Sequence, residues 1–94
     1  MKKLLEKDIE KAVCDYAKGR GCLAYKFTSP RRRSVPDRLF ITPGGLVFFI
    51  EFKAPGKKPT DAQNREMGRL REKGVHVSWT DNIEIGKGII DLLC

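Results

Sequence analysis

Histidine occurs once in this chain, as His76, and cysteine three times, as Cys14, Cys22 and Cys94, with no C-x-x-C spacing. Those absences argue against a zinc site and against a disulfide framework. The thiols are expected to be reduced and mostly structural, and any metal should be a hard cation held by oxygen. No apolar run approaches the roughly 20 residues that cross a bilayer. The first ten residues mix Lys, Glu and Asp, which is not the pattern of a signal peptide. The expected compartment is therefore the cytoplasm, with no membrane partner. Repeats, low-complexity tracts and linkers are also lacking. With 94 residues, the chain reads as one domain, 1–94, with no room for a separate substrate-binding domain.

Basic charge, by contrast, is abundant. Nineteen Lys and Arg face twelve Asp and Glu, a net charge of +7, the electrostatic signature of a polyanion-binding protein.

Periodicity divides the chain into seven elements. Leu5, Ile9, Ala12, Val13 and Tyr16 fall at helical spacings, predicting a helix over 4–18 that Gly19 and Gly21 stop. A short strand is expected over 22–27, followed by the basic loop Thr28 to Ser34 that Pro36 ends in extended form. Two strands, 38–42 and 46–53, flank Pro43-Gly44-Gly45 as a hairpin. The second is apolar on both faces over Leu46 to Ile50, predicting a central strand covered on both sides. After the basic turn Ala54 to Pro59, Thr60-Asp61-Ala62-Gln63 opens a helix with a capping-box pattern, running to about Lys73. A strand over 75–79 and a helix over 82–93 complete the order α-β-β-β-α-β-α, an α/β fold with a mixed sheet flanked by helices. Tyr16 and Trp79 are expected in the core, and His76 as a strand residue without catalytic work.

Within this frame one set of residues carries chemistry. Val35-Pro36-Asp37 leads into the hairpin, and Glu51-Phe52-Lys53 leaves it. Alternation puts Glu51 and Lys53 on one face of the strand and Phe52 on the other. Antiparallel pairing places Asp37 across from about Glu51 or Phe52. Two adjacent carboxylates repel unless a cation neutralises them. Mg²⁺ suits such a pair because it binds through one or two carboxylates and keeps open positions for phosphate oxygens. The backbone carbonyl of Phe52 is a candidate further ligand. Such a metal activates water and offsets charge on a phosphate, with Lys53 orienting the nucleophile or stabilising the same charge. On the first helix, Glu6 sits at the margin of the apolar stripe and Glu10 further toward solvent, so Glu6 is the better candidate to reach the site. The expectation is metal-dependent phosphodiester cleavage.

These residues, in this order, resemble the VRR-NUC domain of the PD-(D/E)xK nuclease superfamily, in the compact stand-alone form found in phage and bacterial proteins. The likeness spans nearly the whole chain: the first helix with Glu6, the strand with Tyr25-Lys26-Phe27, Val35-Pro36-Asp37, Glu51-Phe52-Lys53 with Ala54-Pro55-Gly56, and Gln63. It implies a restriction-endonuclease-like core, a Mg²⁺ or Mn²⁺ cofactor and no organic one. Asp37 and Glu51 are implied as metal ligands, Lys53 as the catalytic lysine, Glu6 as an acid acting directly or through water, and Gln63 as a supporting glutamine. Stand-alone members are similar to Holliday-junction resolvases and are expected to act as homodimers, which agrees with the need for two sites on a two-fold junction. One departure stands out. The family often has Gly before the Pro-Asp pair and a glycine-rich loop ahead of it, where this chain has Val35 and Ser29-Pro30-Arg31-Arg32-Arg33-Ser34. Arg31, Arg32, Arg33, Lys57 and Lys58 flank the site in sequence and are the expected phosphate contacts. Alternatives are a non-cleaving junction- or duplex-binding module, and a phage-type endonuclease acting on linear duplex DNA.

Overall fold

The computed structural model describes residues 3–94; Met1 and Lys2 lie outside the described residues. The elements are α1 (Glu6–Gly19), β1 (Leu23–Lys26), β2 (Arg38–Ile41), β3 (Val47–Phe52), α2 (Asp61–Glu72), β4 (His76–Thr80) and α3 (Ile83–Leu93). This is the expected order, with boundaries shifted by one or two residues at helix and strand ends. Strands run in the order β1-β2-β3-β4. The first three form an antiparallel meander and β3 pairs with β4 in parallel through the α2 crossover, so the sheet is mixed.

The hairpin forms because Gly45, at φ +89, takes a left-handed conformation that a side chain disfavours. Its N–H then donates to the Thr42 carbonyl at 2.9 Å, and the Thr42 hydroxyl accepts from Leu46 N at 3.1 Å. Alternation sends Phe40, Phe48, Ile50 and Phe52 to one face, where Ile9, Val13 and Ala17 of α1 and Ile90 of α3 meet them, all fully buried. Phe40 and Phe48 are direct cross-strand partners with rings stacked at 5.1 Å. Burying each such ring contributes about 1.5–3 kcal/mol. The helices α1 and α3 cross where α3 carries Gly86: a Cβ there would lie 2.5 Å from Val13 Cγ2.

Three expectations need correction. The second face of β3 is covered only in part. Helix α2 packs on β4 rather than on β3, anchored by Arg71, whose Nη2 donates to the Val77 carbonyl at 2.9 Å. Phe49 is left half-buried, its ring 5.0 Å from that of Phe27. The apolar run Leu46 to Ile50 signals a buried strand but not how far each covering helix extends. Tyr16 and Trp79 are half-buried rather than core; the Tyr16 hydroxyl reaches the surface to donate to Asp91 Oδ1 at 2.6 Å. A phenol with a polar tip settles at a rim where that tip finds a partner.

Candidate active site

The partly open face carries the polar residues. In the β2–β3 ladder Arg38 pairs with Ile50, and one step further the register sets Asp37 opposite Glu51. Asp37 is held on both sides: its carbonyl accepts from Phe27 N at 2.9 Å and its Oδ2 from Phe52 N at 2.8 Å. Pro36, just before it, is fully buried. Phe52 plants its ring in the core, and Lys53 N donates to Thr80 O at 2.9 Å, so β3 is fixed from both neighbours. The N–H and C=O of one strand residue point to the same edge. The Phe52 carbonyl therefore faces the Asp37 side.

Glu51 is the centre of the arrangement, its side chain 3% exposed. Its Oε2 accepts from Gln63 Nε2 at 2.9 Å and lies 3.5 Å from Lys53 Nζ. Its Oε1 is buried without a partner among the described residues. Gln63 does two jobs. Its Oε1 accepts from Thr60 N at 2.9 Å and its own N–H donates to Thr60 Oγ1 at 3.1 Å, closing the capping box of α2. That leaves the amide nitrogen aimed at Glu51.

Burial, and then the charge of Asp37, push the Glu51 carboxyl up to about 7, against the opposing pull of Lys53. Asp37 is raised by burial and next by Glu10, with the Phe52 N–H and Lys53 resisting. Glu6, at the start of α1, is raised by desolvation and then by Asp37. In all three the first cause is the withdrawal of water from the charged form, with neighbouring carboxylates adding to it. The orphaned Glu51 Oε1, the adjacent Asp37 and the Phe52 carbonyl form an all-oxygen donor set that fits a hard divalent cation. Among the described residues no three His, Cys, Asp or Glu side chains converge on one point. Two carboxylates and a carbonyl would give a bound cation an incomplete protein shell, of the kind that leaves positions for water.

Glu6 and Glu10 are sorted by Arg38. Glu10 Oε2 is 2.6 Å from Arg38 Nε, both side chains largely buried, whereas Glu6 stays at the exposed mouth near Asp37 and Lys53. The Glu10–Arg38 pair was not legible from spacing, because it joins α1 to β2 across the core-facing side. Lys26 also lies by Asp37, in a cavity that they share with Arg32 and Arg33. Arg31, Arg32 and Arg33 line a neighbouring cleft of about 400 Å³ against α2. Lys57 and Lys58 are exposed on the turn after β3, whose Gly56 N is tied to Asp81 Oδ2 at 3.0 Å, and neither lines that cleft. Tyr25 is 53% exposed on β1.

Over 85 residues the chain is 45% identical to "Putative nuclease p44" of Acyrthosiphon pisum secondary endosymbiont phage 1, covering 90% of this chain and 91% of that protein. A solved structure described as "VRR_NUC domain" superimposes with a TM-score of 0.84 at 29% identity, over 92% of this chain and 94% of the other. A second, "VRR_NUC domain protein", has a TM-score of 0.73 at 15% identity, over 96% and 88%, and shares the fold. No family model matches the chain. A mixed four-stranded sheet between helices, with acidic residues and a lysine gathered at the end of its central strand, is the core of the restriction-endonuclease-like PD-(D/E)xK nucleases. Within that class, the chain belongs to the VRR-NUC nuclease family.

Proposed function

We propose that this protein is a Mg²⁺- or Mn²⁺-dependent endodeoxyribonuclease that nicks branched DNA, foremost Holliday junctions, as a homodimer in the cytoplasm of a bacterial or phage-infected cell. The observation that carries the reading is Glu51: a buried carboxylate with an unpartnered oxygen, across from Asp37 and 3.5 Å from the Lys53 ammonium. So costly an arrangement makes sense around a cation and a phosphate.

Asp37, Glu51 and the Phe52 carbonyl hold the cation. When bound, it supplies Lewis acidity, lowering the pKa of water and offsetting charge on the phosphate. Gln63 fixes the Glu51 rotamer, so the ligand is preorganised at no further entropic cost. Lys53 presents a compact positive charge beside the reacting phosphate, orienting the attacking water and stabilising the oxygen charge that grows in the transition state. Glu6, at the mouth, acts on the cation directly or through water. Arg31, Arg32, Arg33, Lys57 and Lys58 take backbone phosphates. A four-way junction presents two scissile strands related by two-fold symmetry, and a homodimer supplies the two sites.

The test is a panel of labelled four-way junction, flap, splayed and linear substrates, incubated with Mg²⁺ or Mn²⁺ and with EDTA. Paired nicks at the junction that need the metal, made by a dimer in solution, are expected. Cleavage in EDTA sinks the metal reading, a linear duplex cut at one sequence displaces the junction, and tight binding without any cutting converts the protein to a binding module.

A further inference from the structure

The cleft beside the site has a composition that catalysis alone does not call for. The loop residues Arg31, Arg32 and Arg33 face Arg65 and Arg69 of α2 across about 400 Å³. Arg65 and Arg69 are one helical turn apart, hence on one face of α2. Only one carboxylate, that of Glu66, shares the lining with these five guanidinium groups. Glu66 is 10% exposed, and its Oε1 lies 3.3 Å from Arg32 Nη1 and 3.5 Å from Arg69 Nε. One buried carboxylate bridges loop and helix, and the remaining guanidinium groups have no anion among the lining residues. Crowded like charges raise the free energy of the fold unless something negative occupies the space between them. Arg32 and Arg33 also line the cavity that holds Asp37, so the two cavities adjoin and together form a basic track from the site to α2.

We propose that this cleft is a second phosphate-binding site, in which Arg65 and Arg69 join the arginine loop to grip the phosphodiester backbone of the substrate strand beyond the scissile position, with Glu66 as the residue that positions the loop on α2. The proposal rests on the nuclease reading for the identity of the strand. Guanidinium forks suit phosphate oxygens bidentately, and a grip away from the cut fixes register without reading sequence. Glu66 acts through Arg32 and Arg69, not on DNA.

The test is binding of a fluorescent junction in EDTA across a salt series, read beside metal-dependent cleavage. Arg65→Ala with Arg69→Ala should flatten the slope of log affinity against log salt by about 0.9 per lost contact, and weaken binding roughly tenfold or more. Arg65→Lys with Arg69→Lys should restore most of the slope, since charge survives. Glu66→Gln separates two roles by sign. If Glu66 only offsets charge, its neutralisation tightens binding; as a positioning residue, its neutralisation loosens binding severalfold. An unchanged slope in the double alanine variant, with its melting temperature intact, overturns the cleft while leaving the nuclease standing. Wild type that binds with a steep slope but never cuts overturns the nuclease reading and leaves the cleft. Orthophosphate displacing the DNA at micromolar concentration overturns the backbone assignment in favour of a free or terminal phosphate; competition no stronger than chloride of equal ionic strength supports it.

Discussion

Replacing Glu51 by Gln should make the metal-free protein more stable at alkaline pH while destroying its activity. In the folded chain the Glu51 carboxyl is pushed up to about 7, from an ordinary value of 4.5. The folded state therefore holds a proton that the unfolded state has released between those two pH values. The stability that goes with that proton is fully present below pH 4.5 and lost as pH rises through 7. The difference of 7 − 4.5 = 2.5 units corresponds to about 3 kcal/mol of penalty for the ionised form above pH 7. Gln carries no charge and keeps an acceptor for Gln63, but sets an amide where Oε1 lacks a partner. That unpaired donor offsets about 1–2 kcal/mol. The net gain at pH 8 in EDTA is about 1–2 kcal/mol, shrinking to nothing or reversing at pH 4.5. Denaturant unfolding of both proteins at several pH values between 4.5 and 8.5 measures it. A difference that does not vary with pH would refute the reasoning, because the burial penalty of Glu51 would then not reside in its charge.

Other outcomes follow from the same geometry. Lys53→Ala should lower the cleavage rate by roughly 10²–10³-fold in single-turnover assays at saturating protein, with the far-UV circular dichroism unchanged. Gly86→Ala would push a methyl to 2.5 Å from Val13 Cγ2; it should destabilise by about 1–3 kcal/mol in urea unfolding, and adding Val13→Ala should recover part of that. Arg38→Ala leaves Glu10, 16% exposed, without its 2.6 Å partner; a loss of about 2 kcal/mol is expected at pH 7 in urea unfolding.

The features legible in the sequence are those written in local spacing. Two-residue alternation put Glu51 and Lys53 on one face and Phe52 in the core, and Gly44-Gly45 set the hairpin register that brings Asp37 opposite Glu51. Gln63 could be read either as a cap or as a site residue; it is placed for both, because an amide has an acceptor for Thr60 and a donor left for Glu51. What spacing did not disclose depends on how elements pack. The bond from Glu10 to Arg38, the approach of Arg65 and Arg69 to the arginine loop, and the meeting of Cys22 with Cys94 at 3.1 Å all join residues distant in the chain. Their one local trace is Arg65 and Arg69 four apart, a basic stripe on α2 that periodicity alone could not aim at the loop.

The parallel pairing of β3 with β4 bears on when the surroundings of Glu51 are assembled. Asp37 and Glu51 are synthesised close together, but the grip on Glu51 comes from Gln63, and the backbone clamp on Lys53 from Thr80. Both belong to later chain, and the parallel neighbour can be added only after α2 has been made. A polypeptide still leaving the ribosome has its acidic pair in hand while the amide and the last strand are missing. The full setting of Glu51 and Lys53 is therefore assembled only once α2 and β4 have both been made, an order imposed by the crossover between two parallel neighbours.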